Sequence, residues 1–305
     1  METSGIKRTF ILGEEWAFFK IYTGVRTADD ILVNQISTLM TNWLEKKYID
    51  QWFFIRYYDP KFHLRLRFHL TDTKYIGELI KDLNVVFSLL IQQNLIWKLQ
   101  SDFYIRELER YGSNRIANVE NVFFYDSNMV IQLLELIEDT ESQNYRWLIG
   151  LLIIDDIFDS FNLSVEEKQE MTETFIHFFK NEFVYDTNLK KRLSLKYRNN
   201  KKNIEEILSR SNTYENILNI VNYKSQSIKP YINEIKSTVT SKEISSNLIF
   251  SICHMSLNRL YRTESRKNEF VSYDLLLCYY KSILARLKYD KKSSLKLKDS
   301  TLITN

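Results

Sequence analysis

Between Asp59 and Leu70 the chain reads DPKFHLRLRFHL, and from His63 onward it alternates strictly. His63, Arg65, Arg67 and His69 fall on one side and Leu64, Leu66, Phe68 and Leu70 on the other, as in a strand with one buried face. Alternate strand residues stand roughly 6.6–6.8 Å apart, so Arg65 and Arg67 can both reach one anion. Each can grip a carboxylate by a forked, charge-assisted contact. A solvated outer face would use similar residues, but here the arginines lie between two of the four histidines in the chain. A second set occurs in YIRELERYG, Tyr104 to Gly112. Glu107 and Arg110 are three apart, neighbours on one helical turn, and Gly112 is a natural stop. The bland alternative is a surface helix laced with ion pairs. The third is FSICHMSLNRLY, in which His254 falls on an amphipathic helix and Asn258, one turn on, can face the same way. A helical histidine is most often a satisfied core residue; as a functional group it is a base near neutral pH. Together these residues offer cationic oxyanion stabilisers, a carboxylate and an imidazole base. Such a set suits proton abstraction next to a carbonyl, with a carboxylate or enolate held by the arginines.

The elements that must position them can be read along the chain. Trp16 to Thr23 is a strand candidate, and TADDILVNQISTLMTNWLEKKYID is a helix with Thr27 as its N-cap and acids in its first turn. QWFFIRYYDPKFHLRLRFHL is a β-hairpin turning at Asp59-Pro60-Lys61, and a further helix runs from about Thr73 to Gln93. From about Asn128 the periodicity becomes helical. Ser164 and Glu167 form a capping box, residues 185–245 are polar with weaker periodicity interrupted by Pro230, and two strong helices follow. The expected fold is α+β, mostly helical, with a small antiparallel sheet near the N-terminus. We expect a single domain over 1–305: a strand-containing part at 1–127, a helical part at 128–290 and a polar, solvated tail at 291–305.

Composition narrows the function classes. At 44% hydrophobic and 27% charged residues the chain reads as an ordinary soluble globular protein. No stretch approaches the roughly 18–20 apolar residues of a membrane-spanning helix, and no signal-peptide core is present, so a cytoplasmic location is expected. A net charge of +3 gives no field that would attract nucleic acid directly. The six glycines are too scattered for a phosphate-cradling loop. Cys253 and Cys278 sit in apolar helical segments without a C-x-x-C partner and read as buried thiols, not as zinc ligands. No cofactor and no metal are expected.

WFFIRYYDPKFHLRLRFHL, YIRELERYG and CHMSLNRL occur in the order and rough spacing of one family. Together with EWAFFKIYTG and IIDDIFDSFNLSVEEK, they make the chain resemble, over nearly its whole length, the C-terminal elimination domain of class I lanthipeptide dehydratases, the thiopeptide-type bacteriocin biosynthesis family. One departure is RYGS, where Ser113 stands at a position usually held by a second glycine. The resemblance implies β-elimination of glutamate from O-glutamyl Ser or Thr of a precursor peptide, leaving dehydroalanine or dehydrobutyrine. It implies catalytic roles for Arg65, Arg67, Glu107, Arg110 and His254, with His63, His69 and Asn258 as substrate contacts. It also implies two partners, the glutamylated precursor peptide and a separately encoded, tRNA-dependent glutamylating protein. Two other readings stand beside it. One is a pyridine synthase joining two dehydroalanines in a formal cycloaddition, and the other is a non-catalytic peptide-binding module.

Overall fold

The computed structural model describes residues 5–137, 145–179, 182–183 and 186–301, without the side chains of 243 and 291–301. Two compact units divide the chain, Met1–Arg146 with Asn216–Ser265, and Trp147–Glu215 with Arg266–Asn305. The fold is α+β and mostly helical, with small antiparallel sheets near the N-terminus.

The first unit is built on a four-stranded antiparallel sheet of β2 (Trp16–Thr23), β3 (Ile49–Tyr58), β4 (Phe62–Leu70) and β5 (Ile96–Ser101), in the order β3-β4-β2-β5. Two short strands, β1 (Thr9–Phe10) and β6 (Tyr104–Ile105), pair separately. The register sets Phe53, Arg67 and Phe18 in one row across β3, β4 and β2, with Ile55, Arg65 and Lys20 in the next row and Tyr57, His63 and Tyr22 in the third. Directly opposed residues share a face, so the arginine side of β4 lies among aromatic neighbours. Leu64, Leu66 and Phe68 fill the other face and are fully buried. There Trp43 of α2 (Ser37–Glu45) meets the Phe68 ring edge-on at 5.3 Å.

Helix placement follows expectation with three corrections. Thr27 is the first residue of α1 (Thr27–Asp30), not its cap; Arg26 holds the N-cap position without a side-chain bond. A π-helical segment, Ile31–Ile36, joins α1 to α2, and a 3₁₀ turn at Thr73–Tyr75 leads into α3 (Ile76–Gln92). The short α4 (Leu108–Tyr111) precedes α5, which starts at Ile116 and ends at Leu136, twelve residues earlier than the apolar periodicity announces. The reason is that its buried face includes Glu120 and Asp126, whose charges are met by Arg106 and Arg259. The third correction is α9 (Glu215–Ser237), which continues through Pro230 instead of breaking there. A helix-interior proline costs ~3 kcal/mol. Burial of Leu218, Val221, Ile228, Ile232 and Ile235 contributes about 1.5–3 kcal/mol for each side chain and outweighs it. α10 (Lys242–Leu260) completes the unit.

α10 and α5 close the outer edge of β3 with side chains. Asn258 accepts from the Arg56 N–H and donates to the Arg56 carbonyl, each at 2.9 Å. Arg259 Nε donates to the Phe54 carbonyl at 2.8 Å, while the Phe54 N–H donates to Ser127 Oγ at 3.3 Å. Beside this edge, Asp29 is buried among Arg56, Arg146 and Arg262.

The second unit is helical: most of α6 (Arg146–Ser160), α7 (Val165–Phe179), α8 (Thr187–Leu208) and α11 (Ser265–Thr301). The expected capping box is present, Ser164 N–H donating to Glu167 at 2.8 Å and Glu167 N–H returning to Ser164 Oγ at 3.2 Å. Residues 148–158 of α6 are buried all round, as befits a central helix. Its Asp155 receives Lys168 Nζ at 2.7 Å and the Tyr280 hydroxyl at 2.8 Å. The backbone of 291–301 continues α11; the solvation expected of that tail lies outside the described residues, as do 302–305.

Candidate active site

Arg67 is buried and, among the described residues, has no carboxylate in direct ion-pair contact, although Glu107 across the cleft acts on it at longer range. Its guanidinium stands 4.5 Å from the Phe18 ring, 5.3 Å from Phe53 and 5.1 Å from Tyr104. Among the described residues no hydrogen bond reaches its buried Nε. Burial lowers its pKa to about 10, which still leaves it charged at neutral pH. An aromatic box holds a cation without neutralising it, since each ring contributes a favourable face but no counter-charge. The Tyr104 wall is itself fixed. Its hydroxyl donates to buried Glu120 at 2.6 Å, and Arg106 grips both oxygens of Glu120 at 2.7 and 2.6 Å.

Arg65, half-buried and two residues away, is held differently. Its guanidinium lies over the Tyr57 ring, 3.4 Å from the ring centre, and its Nε donates to His63 Nε2 at 3.1 Å. His63 is fully buried, with Nδ1 2.9 Å from the Lys61 carbonyl. His69, at the other end of the row, has Nδ1 2.6 Å from Asp50 and its ring beside Trp16. Both histidines therefore have protein partners.

Glu107 occupies the N-cap position of α4 and pairs with Arg110 at 3.0 Å, one turn on and exposed. Gly112 ends that turn at φ 82°, and a Cβ there would run into the Arg115 guanidinium. The backbone angle is what calls for glycine here; a Cβ would also oblige the Arg115 side chain to shift. Ser113 has no positive φ and needs none. Glu107 lines a cleft with Phe53, Ile55, Arg67, Tyr104 and Met255, enclosing about 360 Å³ with its open mouth. Burial pushes Tyr111, also in its wall, up to about 12.

His254 is half-buried on α10, immediately before Met255 of the cleft wall. Asn258, one turn on, has both amide groups committed to the β3 edge. The fold thus brings Arg67 and Glu107 into one cleft, ties Arg110 to it through Glu107, and sets Arg65 beside it on the same strand. It does not gather His63, His69 or Asn258 there. Tyr104, Tyr111, Arg106 and Glu120 were missed by sequence reasoning, although three of the four stand in YIRELERYG. Among the described residues no three metal-ligating side chains converge, and neither cysteine is in a disulfide.

A family model described as the lantibiotic biosynthesis dehydratase C-terminal region matches residues 16–280. The subtilin biosynthesis protein SpaB of Bacillus subtilis is 24% identical over 268 residues, covering 87% of this chain and 25% of that protein. The nisin biosynthesis protein NisB of Lactococcus lactis is 24% identical over 200 residues, covering 58% and 20%. In fold, the chain is similar to the tRNA-dependent lantibiotic dehydratase MibB from Microbispora, at TM-score 0.71 and 20% identity, over 90% of this chain and 28% of that one. It is also similar to TbtD, a pyridine synthase from thiomuracin biosynthesis, at TM-score 0.59 and 12% identity, over 87% and 97%. The chain spans about a quarter of the length of SpaB.

Proposed function

Because the chain belongs to the lantibiotic biosynthesis dehydratase C-terminal family, we propose that it catalyses the elimination step of peptide dehydration. The substrate is a precursor peptide whose Ser or Thr side chains carry glutamate in ester linkage. The Cα–H bond breaks, its proton passing to a base, and the electron pair forms the Cα–Cβ double bond. The Cβ–O bond breaks at the same residue, and glutamate leaves with the ester oxygen. Dehydroalanine or dehydrobutyrine remains. His254 takes the α-proton or returns it to the departing group. Arg65 and Arg67 hold the glutamyl carboxylates and the enolate that develops as the proton leaves. Glu107 orients Arg110 or handles a proton itself. The glutamylated peptide is supplied by a tRNA-dependent glutamylating activity.

The observation that carries this reading is Arg67, a buried cation whose Nε has no hydrogen-bond partner and which, among the described residues, makes no direct ion pair, facing a cleft lined also by Glu107. A pocket built this way favours an anion that arrives from outside or develops during reaction. The experiment is incubation with an O-glutamyl precursor peptide and mass spectrometry for loss of glutamic acid. Peptide that keeps its glutamate refutes elimination.

A second reading rests on the match to almost the full length of the pyridine synthase TbtD. It would join two dehydroalanines, and a substrate already containing them would lose no glutamate when converted. A module that only binds peptide is the third, and it would keep its affinity when His254 is replaced.

A further inference from the structure

We propose that His63 is a positioning residue for Arg65: locked as one neutral tautomer, it fixes the guanidinium through Nε and leaves both terminal nitrogens for a substrate carboxylate. The inference rests on the carboxylate-holding role given to Arg65 above. The Lys61 carbonyl can only accept, so His63 Nδ1, 2.9 Å away, carries the ring proton. Nε2 is then a lone-pair acceptor, and Arg65 Nε donates to it at 3.1 Å. Tyr22 and Tyr57 confine the imidazole at 4.7 and 5.6 Å between ring centres, and the ring is fully buried, so it cannot turn to exchange its nitrogens. Tyr57 serves both residues, since the Arg65 guanidinium lies over it. The outcome is a guanidinium with one edge occupied, a ring against it and, among the described residues, no carboxylate paired to its other edge.

This geometry makes a demand on protonation. A doubly protonated His63 would point an N–H at the Arg65 N–H, which expels the guanidinium from its seat. The groups around the ring oppose that event on balance. Burial lowers the His63 pKa most; the Lys61 hydrogen bond opposes it, the Arg65 and Lys20 cations lower it further, and Asp59 acts the other way. Tyr22 and Tyr57 face it with their rings. The ring is therefore neutral at pH 7, and carboxylate affinity falls as the pH drops through the lowered value.

The test uses the full chain and two kinds of readout. Imidazole ¹⁵N NMR of the wild type, assigned with His63→Gln, should show His63 protonated at Nδ1 alone at neutral pH, and the Arg65 Nε–H should exchange slowly with solvent. A proton on Nε2 overturns the proposal. In His63→Phe the Arg65 signal should lose its protection, and KM for the O-glutamyl peptide should rise about tenfold with kcat less affected, as for one lost bond to a charged group. In His63→Gln the amide oxygen can still accept, so KM should lie between the two and no longer rise toward acid pH. An acid limb that survives in His63→Gln, or Arg65 protection that survives in His63→Phe, also overturns it. If wild type turns over no O-glutamyl peptide, the function assigned above fails; the NMR readouts still decide whether His63 seats Arg65.

Discussion

Arg65 and Arg67 are two residues apart on β4, yet one is seated on a tyrosine and a histidine and the other in a box of three rings. Neither seat would keep its shape around an ammonium, which is a point charge with no plane to stack. Arg65→Lys and Arg67→Lys should each lower kcat/KM roughly 10- to 150-fold, the value of about 1.5–3 kcal/mol for a hydrogen bond to a charged group. Steady-state kinetics on an O-glutamyl peptide checks this, and wild-type rates in the lysine variants would reduce the pair to general positive charge. His254→Ala should fold normally by circular dichroism and accumulate glutamylated peptide, with a loss on the order of 10²–10⁴ for a missing general base. The alternation around Arg65 and Arg67 was legible because a strand has a period of two. The Tyr104–Glu120 bond was not, since Glu120 lies sixteen residues on, in a different element, and an acid on a helix reads as solvated until its partner is known.

At the scale of elements, side chains do much of the work usually left to backbone. Replacing Asn258 by Ala leaves the Arg56 N–H and carbonyl without their partners at the β3 edge, each costing about 1–3 kcal/mol if buried. We expect Asn258→Ala to lower the unfolding midpoint in urea, in contrast to His254→Ala one turn away. Asp29 offers a second case. Burial works against its ionisation, but Arg56, Arg146 and Arg262 outweigh burial and hold its carboxyl below the usual carboxylate range. A lowered folded-state pKa means that its stabilisation is fully present above about pH 4 and lost as pH falls through the folded value. Asp29→Asn should cost about 3–5 kcal/mol at neutral pH, because buried arginines lose their counter-charge. A denaturant series at several pH values should show that gap narrowing in acid. The β2 strand, the β3–β4 hairpin and the most apolar helices were readable from apolar spacing; β5, the full extent of α8 and α9, and the start of α5 were not, the last because Glu120 and Asp126 occupy core-facing positions.

For the whole molecule, sequence reading had no means of finding the two units. The chain leaves the first at Arg146 and returns to it at Asn216, without a proline- or glycine-rich linker to mark either crossing. No described helix is long and apolar enough to cross a membrane. The near-balanced charge of +3 predicts weak binding to tRNA, without the steep salt dependence of a phosphate-gripping surface. Reconstitution with unmodified precursor and a glutamyl-tRNA source should give dehydrated peptide only when the glutamylating protein is added. Dehydroalanine formed without it would mean that this chain activates its own substrate.

The edge of β3 is sealed by Asn258, 202 residues downstream of Arg56. At roughly 5–20 residues per second of synthesis, that separation amounts to about 10–40 s. For that interval the nascent hairpin presents an aromatic strand, IDQWFFIRYY, with an unpaired border, the kind of template that recruits other strands. Contacts of such sequence separation also slow folding, since a long loop must close before they form. Released chains truncated before residue 258 should accordingly depend on chaperones that the full chain, once released, no longer needs.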